Sequence, residues 1–154
     1  MIGTPFPMSY ATNKRAHFDH ELLETFEAGL VLLGTEVKSI RNGRAKLEGG
    51  YIIIRGGEAY LVGTSIPAYQ PINTGKGYDP ERPRKLLLSA KELVKLDQQT
   101  ERQGLTAIPL SLYNKGRHIK LSFALARGKK KADKRESIKE RDVKRDIERT
   151  LKSQ

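Results

Sequence analysis

The last quarter of the chain, from residue 127 to residue 152, is too highly charged to build a hydrophobic core. It holds twelve Lys or Arg residues against six Asp or Glu residues, a net charge of 12 − 6 = +6 out of the +11 carried by all 154 residues. A segment with so few apolar residues is expected to lack a fixed structure when it is free. Mobile basic segments commonly bind the phosphate backbone of RNA or DNA. We therefore interpret residues 127–154 as a basic C-terminal tail that contacts a nucleic acid.

The rest of the chain is long enough for one compact domain and is also basic. It carries 29 − 12 = 17 basic and 18 − 6 = 12 acidic residues. The absence of cysteine excludes disulfides, thiolate metal sites and cysteine nucleophiles. Residues 1–12 resemble no secretory signal, and the longest apolar run, residues 30–33, is too short to span a membrane. We expect a flexible leader over residues 1–12 and a soluble cytoplasmic protein with no membrane contact.

Two antiparallel strand pairs are the clearest structural signals. Residues 51–62 contain two apolar runs on either side of Arg55-Gly56-Gly57-Glu58, a pattern typical of a hairpin. Residues 110–125 alternate apolar and polar side chains around a turn at 114–116. Short strands joined by glycine turns favour a small antiparallel barrel of the oligonucleotide-binding type. The fold class predicted is mainly β with peripheral helices.

Helices and a long connection are predicted around these strands. Ser89 and Glu92 form a capping box for a helix that runs to about Gln103. Two shorter helices are predicted over residues 19–29 and 35–43, each ended by a glycine. A buried strand is predicted between them at residues 30–33, and the proline-rich residues 67–84 are predicted to form a long connection.

The sequence lacks the motifs of common enzyme classes. It contains no G-x-x-x-x-G-K, no G-x-G-x-x-G and no G-x-S-x-G. His17 and His20 lie near acidic residues and imitate a metal cluster, but imidazoles on the surface or facing RNA are the simpler interpretation. We expect a binding protein rather than an enzyme, with no cofactor and no metal.

Three motifs in register resemble one bacterial family. The first joins Asn13-Lys14-Arg15-Ala16 to residues 26–45, the second is Arg84-Lys85-Leu86-Leu87-Leu88, and the third is Ala126-Arg127-Gly128-Lys129-Lys130 followed by Asp133-Lys134-Arg135. Their order and spacing are similar to those of the small protein B family, the SsrA-binding proteins that partner transfer-messenger RNA in bacterial trans-translation. One departure is Ala16-His17-Phe18-Asp19-His20, which places imidazoles on either side of the position where the family usually has a histidine.

The resemblance implies a division of the chain between two tasks. An oligonucleotide-binding barrel over residues 13–126 would hold the tRNA-like domain of transfer-messenger RNA. The tail, residues 127–154, would enter the decoding site of the small subunit and the mRNA channel of a stalled ribosome. The protein would then deliver an alanyl-charged RNA where no codon is present, and it would meet elongation factor Tu through that charged RNA.

The tail also carries a pattern that favours a helix after docking. Val143, Ile147 and Leu151 recur every four residues, and oppositely charged side chains lie three or four residues apart between them. Such a helix is marginal in water by itself. We expect a coil in the free protein that becomes helical along the ribosome.

Candidate RNA-binding residues follow from this resemblance and from local patterns. Lys38 and Arg41 share one face of a short helix, and alternation puts Lys85 and Leu87 on one side of a strand. Leu87 therefore either contacts an unstacked base or lies in the core. A Glu27 carboxylate can accept N–H bonds from an unpaired guanine or a bond from a 2′-OH. The full set is Asn13, Lys14, Arg15, Glu27, Lys38, Arg41, Lys85 and Leu87 in the barrel, with Lys129, Lys130, Lys131, Asp133, Lys134 and Arg135 as ribosome-binding residues of the tail.

Two other functions share the same charge and fold class. A structural ribosomal protein or a general single-stranded RNA binder of the cold-shock type would also be a basic barrel. The six Tyr, four Phe and no Trp provide few rings for an extended stacking platform, which argues against the general binder. An RNA-processing enzyme is suggested only by the acids and histidines between residues 17 and 27.

Overall fold

The computed structural model describes residues 9–70 and 77–128. Within them, antiparallel strands dominate and the helices are peripheral, so the predicted fold class is confirmed. The predicted tail helix and the six ribosome-binding residues between Lys129 and Arg135 lie outside the described residues. The elements in chain order are β1 (Ser9–Thr12), α1 (Ala16–Asp19), β2 (His20–Leu30), α2 (Gly34–Arg41), β3 (Tyr51–Arg55), β4 (Glu58–Val62), β5 (Arg84–Leu87), α3 (Ala90–Arg102), β6 (Thr106–Lys115) and β7 (His118–Gly128).

Six of the strands close into a barrel. They are neighbours in the order β6-β3-β4-β5-β2-β7, and β7 pairs back onto β6, while β1 adds to the other edge of β6. Alternating side chains of these strands fill the interior, where Leu61, Leu112, Leu121 and Phe123 are fully buried. The sheet therefore has an apolar inner surface and a solvent-facing outer surface.

Both predicted hairpins are confirmed. β3 and β4 are joined by Gly56 and Gly57, whose φ angles of 58° and 76° suit the two-residue turn of a right-twisted hairpin. β6 and β7 meet at the pair Lys115–His118, so their turn lies at residues 116–117. The helix with the capping box is also confirmed as α3, in which Leu96 is buried and Ser89 accepts a bond from the Glu92 backbone.

The helix predicted over residues 19–29 is wrong, because most of this segment is strand β2. Leu22 and Phe26 are four residues apart, as on a helix, yet pairing with β7 determines the structure. β2 aligns with β7 from His20 opposite Gly128 to Gly29 opposite Lys120. The ring of Phe26 stacks on that of Phe123 with centroids 5.3 Å apart. Tertiary pairing here overrides a local period.

Two neighbouring predictions also differ from the structure. The buried strand predicted at residues 30–33 is wrong beyond Leu30, since Val31 and Leu33 are about half exposed and lead directly into α2. Residues 9–12, which the sequence assigns to a flexible leader, form β1 on β6 instead. The predicted helix at residues 35–43 is confirmed as α2, which begins at Gly34.

A buried ion cluster connects α2 to β5. The carboxylate of Glu36 is fully buried and accepts bonds from Arg84 Nε at 2.9 Å and Arg82 Nε at 3.0 Å. It also accepts the backbone N–H of Leu33 at 2.8 Å. Burial by itself would raise the pKa of Glu36, but these hydrogen bonds outweigh it and hold the pKa below its ordinary value. The carboxylate is therefore charged and fully partnered.

Arg84 carries the cluster further into the protein. Its guanidinium is fully buried and donates to the carbonyl oxygens of Thr64 at 3.3 Å and Pro80 at 2.9 Å. Tyr78 closes the cluster by donating to the Ile66 carbonyl at 2.6 Å. Helix α2, strand β5 and residues 78–84 are thus held in one fixed arrangement.

Replacing Glu36 by Gln should destabilise the fold by about 3 kcal/mol or more, because the buried guanidinium of Arg84 would lose its compensating charge. Chemical denaturation at neutral pH measures this free energy. The matched control is Glu24→Gln, which removes a carboxylate from an exposed pair with Lys95. That control should cost no more than about 1 kcal/mol. Equal losses in the two variants would contradict the role assigned to Glu36.

The same cluster makes the stability of the fold depend on pH, with a loss of stability at acidic pH. Because the pKa of folded Glu36 lies below its ordinary value of 4.5, its contribution is present above that pH and is lost as the pH falls through the folded pKa. Wild-type protein should therefore lose stability more steeply than Glu36→Gln below pH 4.5.

Candidate nucleic-acid interface

The outward-facing side chains of β4, β5, β2, β7 and β6 form one continuous surface, called the outer face below. These five strands are neighbours in that order. Along each strand, side chains of the outer face alternate with side chains that face the core. Cross-strand pairing aligns Tyr60 with Lys85, Leu87 with Gly29, and Gly29 with Lys120. The members of the outer face are Glu58, Tyr60, Lys85, Leu87, Glu27, Gly29, Ser122, Lys120, His118, Tyr113 and Lys115.

A pocket of about 210 Å³, called the central pocket, opens in this face at the end of the barrel where β2 leads into α2. A Cβ atom at Gly29 would lie 3.4 Å from Leu87 Cδ1 and 3.5 Å from Lys120 Nζ, so the absence of a side chain there leaves the floor open. Arg41 of α2 reaches the rim and donates to the Arg117 carbonyl at 3.4 Å. The remaining lining includes Leu30, Leu32, Val37, His118 and Ile119.

The position of Leu87 resolves the alternative left by the sequence. Leu87 is 54% exposed, whereas Leu86 is buried in the core. Lys85 lies on the same side as Leu87, as predicted. An exposed leucine surrounded by cations is an arrangement suited to an unstacked base whose phosphates lie beside it.

Glu27 is held by two donors on the outer face. Tyr113 donates its hydroxyl to Glu27 Oε2, and Lys115 Nζ lies 2.9 Å from Glu27 Oε1. The bond from Tyr113, followed by that from Lys115, holds the pKa of Glu27 below its ordinary value. Burial and the same bond raise the pKa of Tyr113, so its hydroxyl stays protonated as a donor. The carboxylate is therefore ionised and fixed, as an acceptor of N–H or 2′-OH bonds must be.

Lys85 is held in a comparable way. Its Nζ lies 2.8 Å from Glu58 Oε1, and the hydroxyl of Tyr60 donates to Glu58 Oε2 at 3.0 Å. The bond from Lys85, then that from Tyr60, lowers the pKa of Glu58. The predicted RNA-binding lysine is thus already paired with a carboxylate in the free protein.

Three predicted residues lie at the other end of the barrel. Asn13 is buried and uses its amide inside the fold: Nδ2 donates to the Pro109 carbonyl at 2.9 Å, and Oδ1 accepts the backbone N–H of Arg15 at 3.3 Å. Asn13 therefore anchors the chain to β6. Lys14 and Arg15 are exposed, and Arg15 pairs with Asp19 at 3.2 Å. These three residues do not line the central pocket.

Lys38 belongs to the same helix as Arg41 but is not part of the pocket lining. Lys38 is exposed, and its carbonyl accepts a bond from the Asn42 side chain at 2.7 Å. Of the predicted barrel residues, the structure brings together Glu27, Arg41, Lys85 and Leu87 on or beside the outer face.

Several residues of this surface were not predicted. Arg117, His118 and Lys120 line the central pocket, and Tyr113 with Lys115 holds Glu27. A signal was present, because Lys115-Gly116-Arg117-His118-Ile119-Lys120 places three cations and an imidazole within six residues. The alternation around this segment, however, indicates only a turn and the start of a strand.

Other kinds of site find no support in residues 9–70 and 77–128. They contain no group of three His, Asp or Glu residues placed to hold a metal ion. None of their helices is long and apolar enough to cross a membrane.

Replacing Tyr113 by Phe should raise the pKa of Glu27 toward 4.5, since the hydroxyl bond is the largest cause of its depression. NMR titration of the side-chain carboxyl carbon measures the change. Tyr60→Phe is the matched control and should move the pKa of Glu58 upward while leaving Glu27 unaffected. An unchanged Glu27 titration in Tyr113→Phe would mean that the hydroxyl does not fix the carboxylate.

Comparison with known proteins agrees with this geometry. The SmpB protein family matches residues 10–153. An "SsrA-binding protein" of Thermosynechococcus vestitus is 50% identical over 140 residues, covering 91% of this chain and 92% of that protein. One from Thermobifida fusca is 49% identical over 146 residues, covering 95% of this chain and 91% of that protein.

A solved structure also matches the barrel. A chain in the structure described as "tmRNA-SmpB: a journey to the center of the bacterial ribosome" superposes with a TM-score of 0.65 at 41% identity. The match covers 82% of this chain and 92% of that one. With the barrel, its basic outer face and these matches agreeing over nearly the whole length, the chain belongs to the SmpB protein family.

Proposed function

We propose that this protein binds the tRNA-like domain of transfer-messenger RNA and delivers it to stalled ribosomes for trans-translation. The observation that supports this best is the central pocket, where an exposed leucine lies among three cationic side chains. The names of the relatives and the description of the similar structure support the identity of the RNA and the ribosomal setting. The protein acts as a binder rather than as an enzyme, and its site of action is the bacterial cytoplasm.

The outer face offers the contacts that a folded RNA loop requires. Leu87 provides an apolar surface for an unstacked base, and Lys120 and Arg41 lie where the adjoining phosphates would pass. Glu27 carries fixed acceptor oxygens two residues before Gly29. Arg41 keeps its position relative to Leu87 because Glu36 joins their two elements, and Lys38 extends the same helix face.

The topology separates this RNA surface from the start of the tail. The tail follows Gly128, which is opposite His20 at one end of β2, whereas the central pocket lies beside Gly29 at the other end. Nine residues of strand correspond to roughly 30 Å. The barrel therefore spaces the RNA site from the tail, so that both can act at once. Lys14 and Arg15 lie at the tail end of the barrel and supply cations there, and elongation factor Tu is met through the charged RNA.

Leu87→Ala should weaken binding of transfer-messenger RNA about five- to tenfold, because roughly half of a leucine side chain is available for burial against a base. Fluorescence titration with labelled RNA at fixed salt measures this. Val94→Ala removes an equally exposed apolar side chain from α3 and should leave affinity unchanged. If both variants bind like wild type, the central pocket is not the RNA site.

Removing residues 129–154 should separate RNA binding from rescue. The chain ending at Gly128 keeps every strand of the barrel and should bind transfer-messenger RNA with nearly wild-type affinity at low salt. Peptide tagging on stalled ribosomes in a reconstituted translation system should be lost. Loss of RNA binding in the shortened chain would overturn this division, and a general single-strand binder would show no preference for transfer-messenger RNA.

A further inference from the structure

Two lysines of the outer face are held by a tyrosine and a glutamate in matching arrangements. In the first, Lys85 contacts Glu58 Oε1 and Tyr60 donates to Oε2. In the second, Lys115 contacts Glu27 Oε1 and Tyr113 donates to Oε2. We call these two groups the Tyr–Glu–Lys triads. The hydroxyl in each triad leaves the other carboxylate oxygen directed at the lysine.

The two triad lysines, Lys85 on β5 and Lys115 on β6, lie on either side of strands β2 and β7, where Lys120 has no carboxylate partner within salt-bridge distance among the described residues. Lys120, Arg41 and Arg117 form no salt bridge with any other described residue, although Lys120 still helps to lower the pKa of Glu27. The first triad spans β4 and β5, and the second spans β2 and β6 across β7. The lysines on the two outer strands are therefore paired with carboxylates, whereas the cations of the central pocket between them form no salt bridge with any described residue.

Folding stability does not account for the first triad. Lys85 and Glu58 are both more than two-fifths exposed, and exposed ion pairs contribute little to stability. The pair does affect a phosphate, which would have to displace an anchored carboxylate of the same sign before it reached Lys85. A lysine that stays paired with its carboxylate neutralises no phosphate and therefore releases no counterion from the RNA.

From this geometry we propose that Glu58, oriented by Tyr60, masks Lys85 and so determines which RNA the outer face accepts. Glu27 and Tyr113 mask Lys115 in the same way at the other edge. A flexible single strand gains affinity by following a long run of cations, and the masked edges shorten that run. A folded RNA that presents its phosphates close together at the central pocket loses little affinity when the edges are masked. This inference rests on the proposed function and makes Glu58 a specificity-determining residue.

The test uses the full-length chain with two probes, transfer-messenger RNA and unstructured polyuridine, titrated at several salt concentrations. Glu58→Gln should tighten polyuridine binding about fivefold while changing transfer-messenger RNA affinity less than twofold. The slope of log K against log salt for polyuridine should steepen by about 0.7, which corresponds to one additional phosphate contact on a single strand. Glu24→Gln unpairs Lys95 of α3 at the same fractional exposure of the carboxylate and should change neither value.

Lys85→Met shows whether the new contact comes from the unmasked lysine. In the Glu58→Gln background it should reverse both the fivefold gain and the steeper slope, whereas in wild type it should change the polyuridine slope by less than 0.2 or so, well under one phosphate contact. Lys120→Met is the positive control and should make the wild-type slope shallower by about 0.7. An unchanged polyuridine slope in Glu58→Gln, or an equal effect of Lys85→Met in both backgrounds, would overturn the masking proposal. A wild-type protein that does not prefer transfer-messenger RNA would instead overturn the proposed function, while the slopes would still test the masking.

Discussion

Strand β7 pairs along most of its length with both β2 and β6, and this double pairing closes the barrel. Closure fixes which side chains face inward, so that Leu121 and Phe123 fill the core while Lys120 and Ser122 face solvent. A slip of one residue would exchange these two sets, and burial of the apolar set opposes it. The positions of the outer-face residues on β2, β7 and β6 thus depend on the register of this one strand.

The second constraint is electrostatic. It orients helix α2, which strand pairing in the barrel does not position. Helix α2 lies outside the sheet, and its connection to β5 runs through the buried pair of Glu36 and Arg84. Buried ion pairs add little net stability compared with apolar packing, but they tolerate only one geometry. That geometry keeps Arg41 at the rim of the pocket that contains Leu87. Both constraints together fix the exposed leucine and the cations around it in the free protein.

Local patterns in the sequence were sufficient to predict some secondary-structure elements and insufficient to predict others. The β3–β4 and β6–β7 hairpins and helix α3 were predicted because glycine turns, alternation and a capping box are signals of neighbouring residues. Strand β2 was mistaken for a helix because its partner β7 lies about a hundred residues further along the chain. The sequence could not predict whether Leu87 is exposed. Alternation with a period of two residues shows which side chains share a side of the strand, but not which side faces the core.

The candidate site shows the same division. The motifs at residues 26–45 and 84–88 predict Glu27, Arg41, Lys85 and Leu87 as RNA-binding residues, and the fold brings these four together on or beside the outer face. Their partners could not be derived from spacing, because Tyr113 reaches Glu27 across an intervening strand. The polar amide of Asn13 suggests an RNA contact, but the structure places it in a bond to the β6 backbone.

The central proposal is that the folded barrel recognises a structured RNA through its outer face. The most direct measurement is to purify the full-length protein from bacterial cells at moderate salt and sequence the RNA that accompanies it. Transfer-messenger RNA should be enriched far above its cellular abundance. RNA species recovered in proportion to their abundance, with no enrichment of transfer-messenger RNA, would contradict the account.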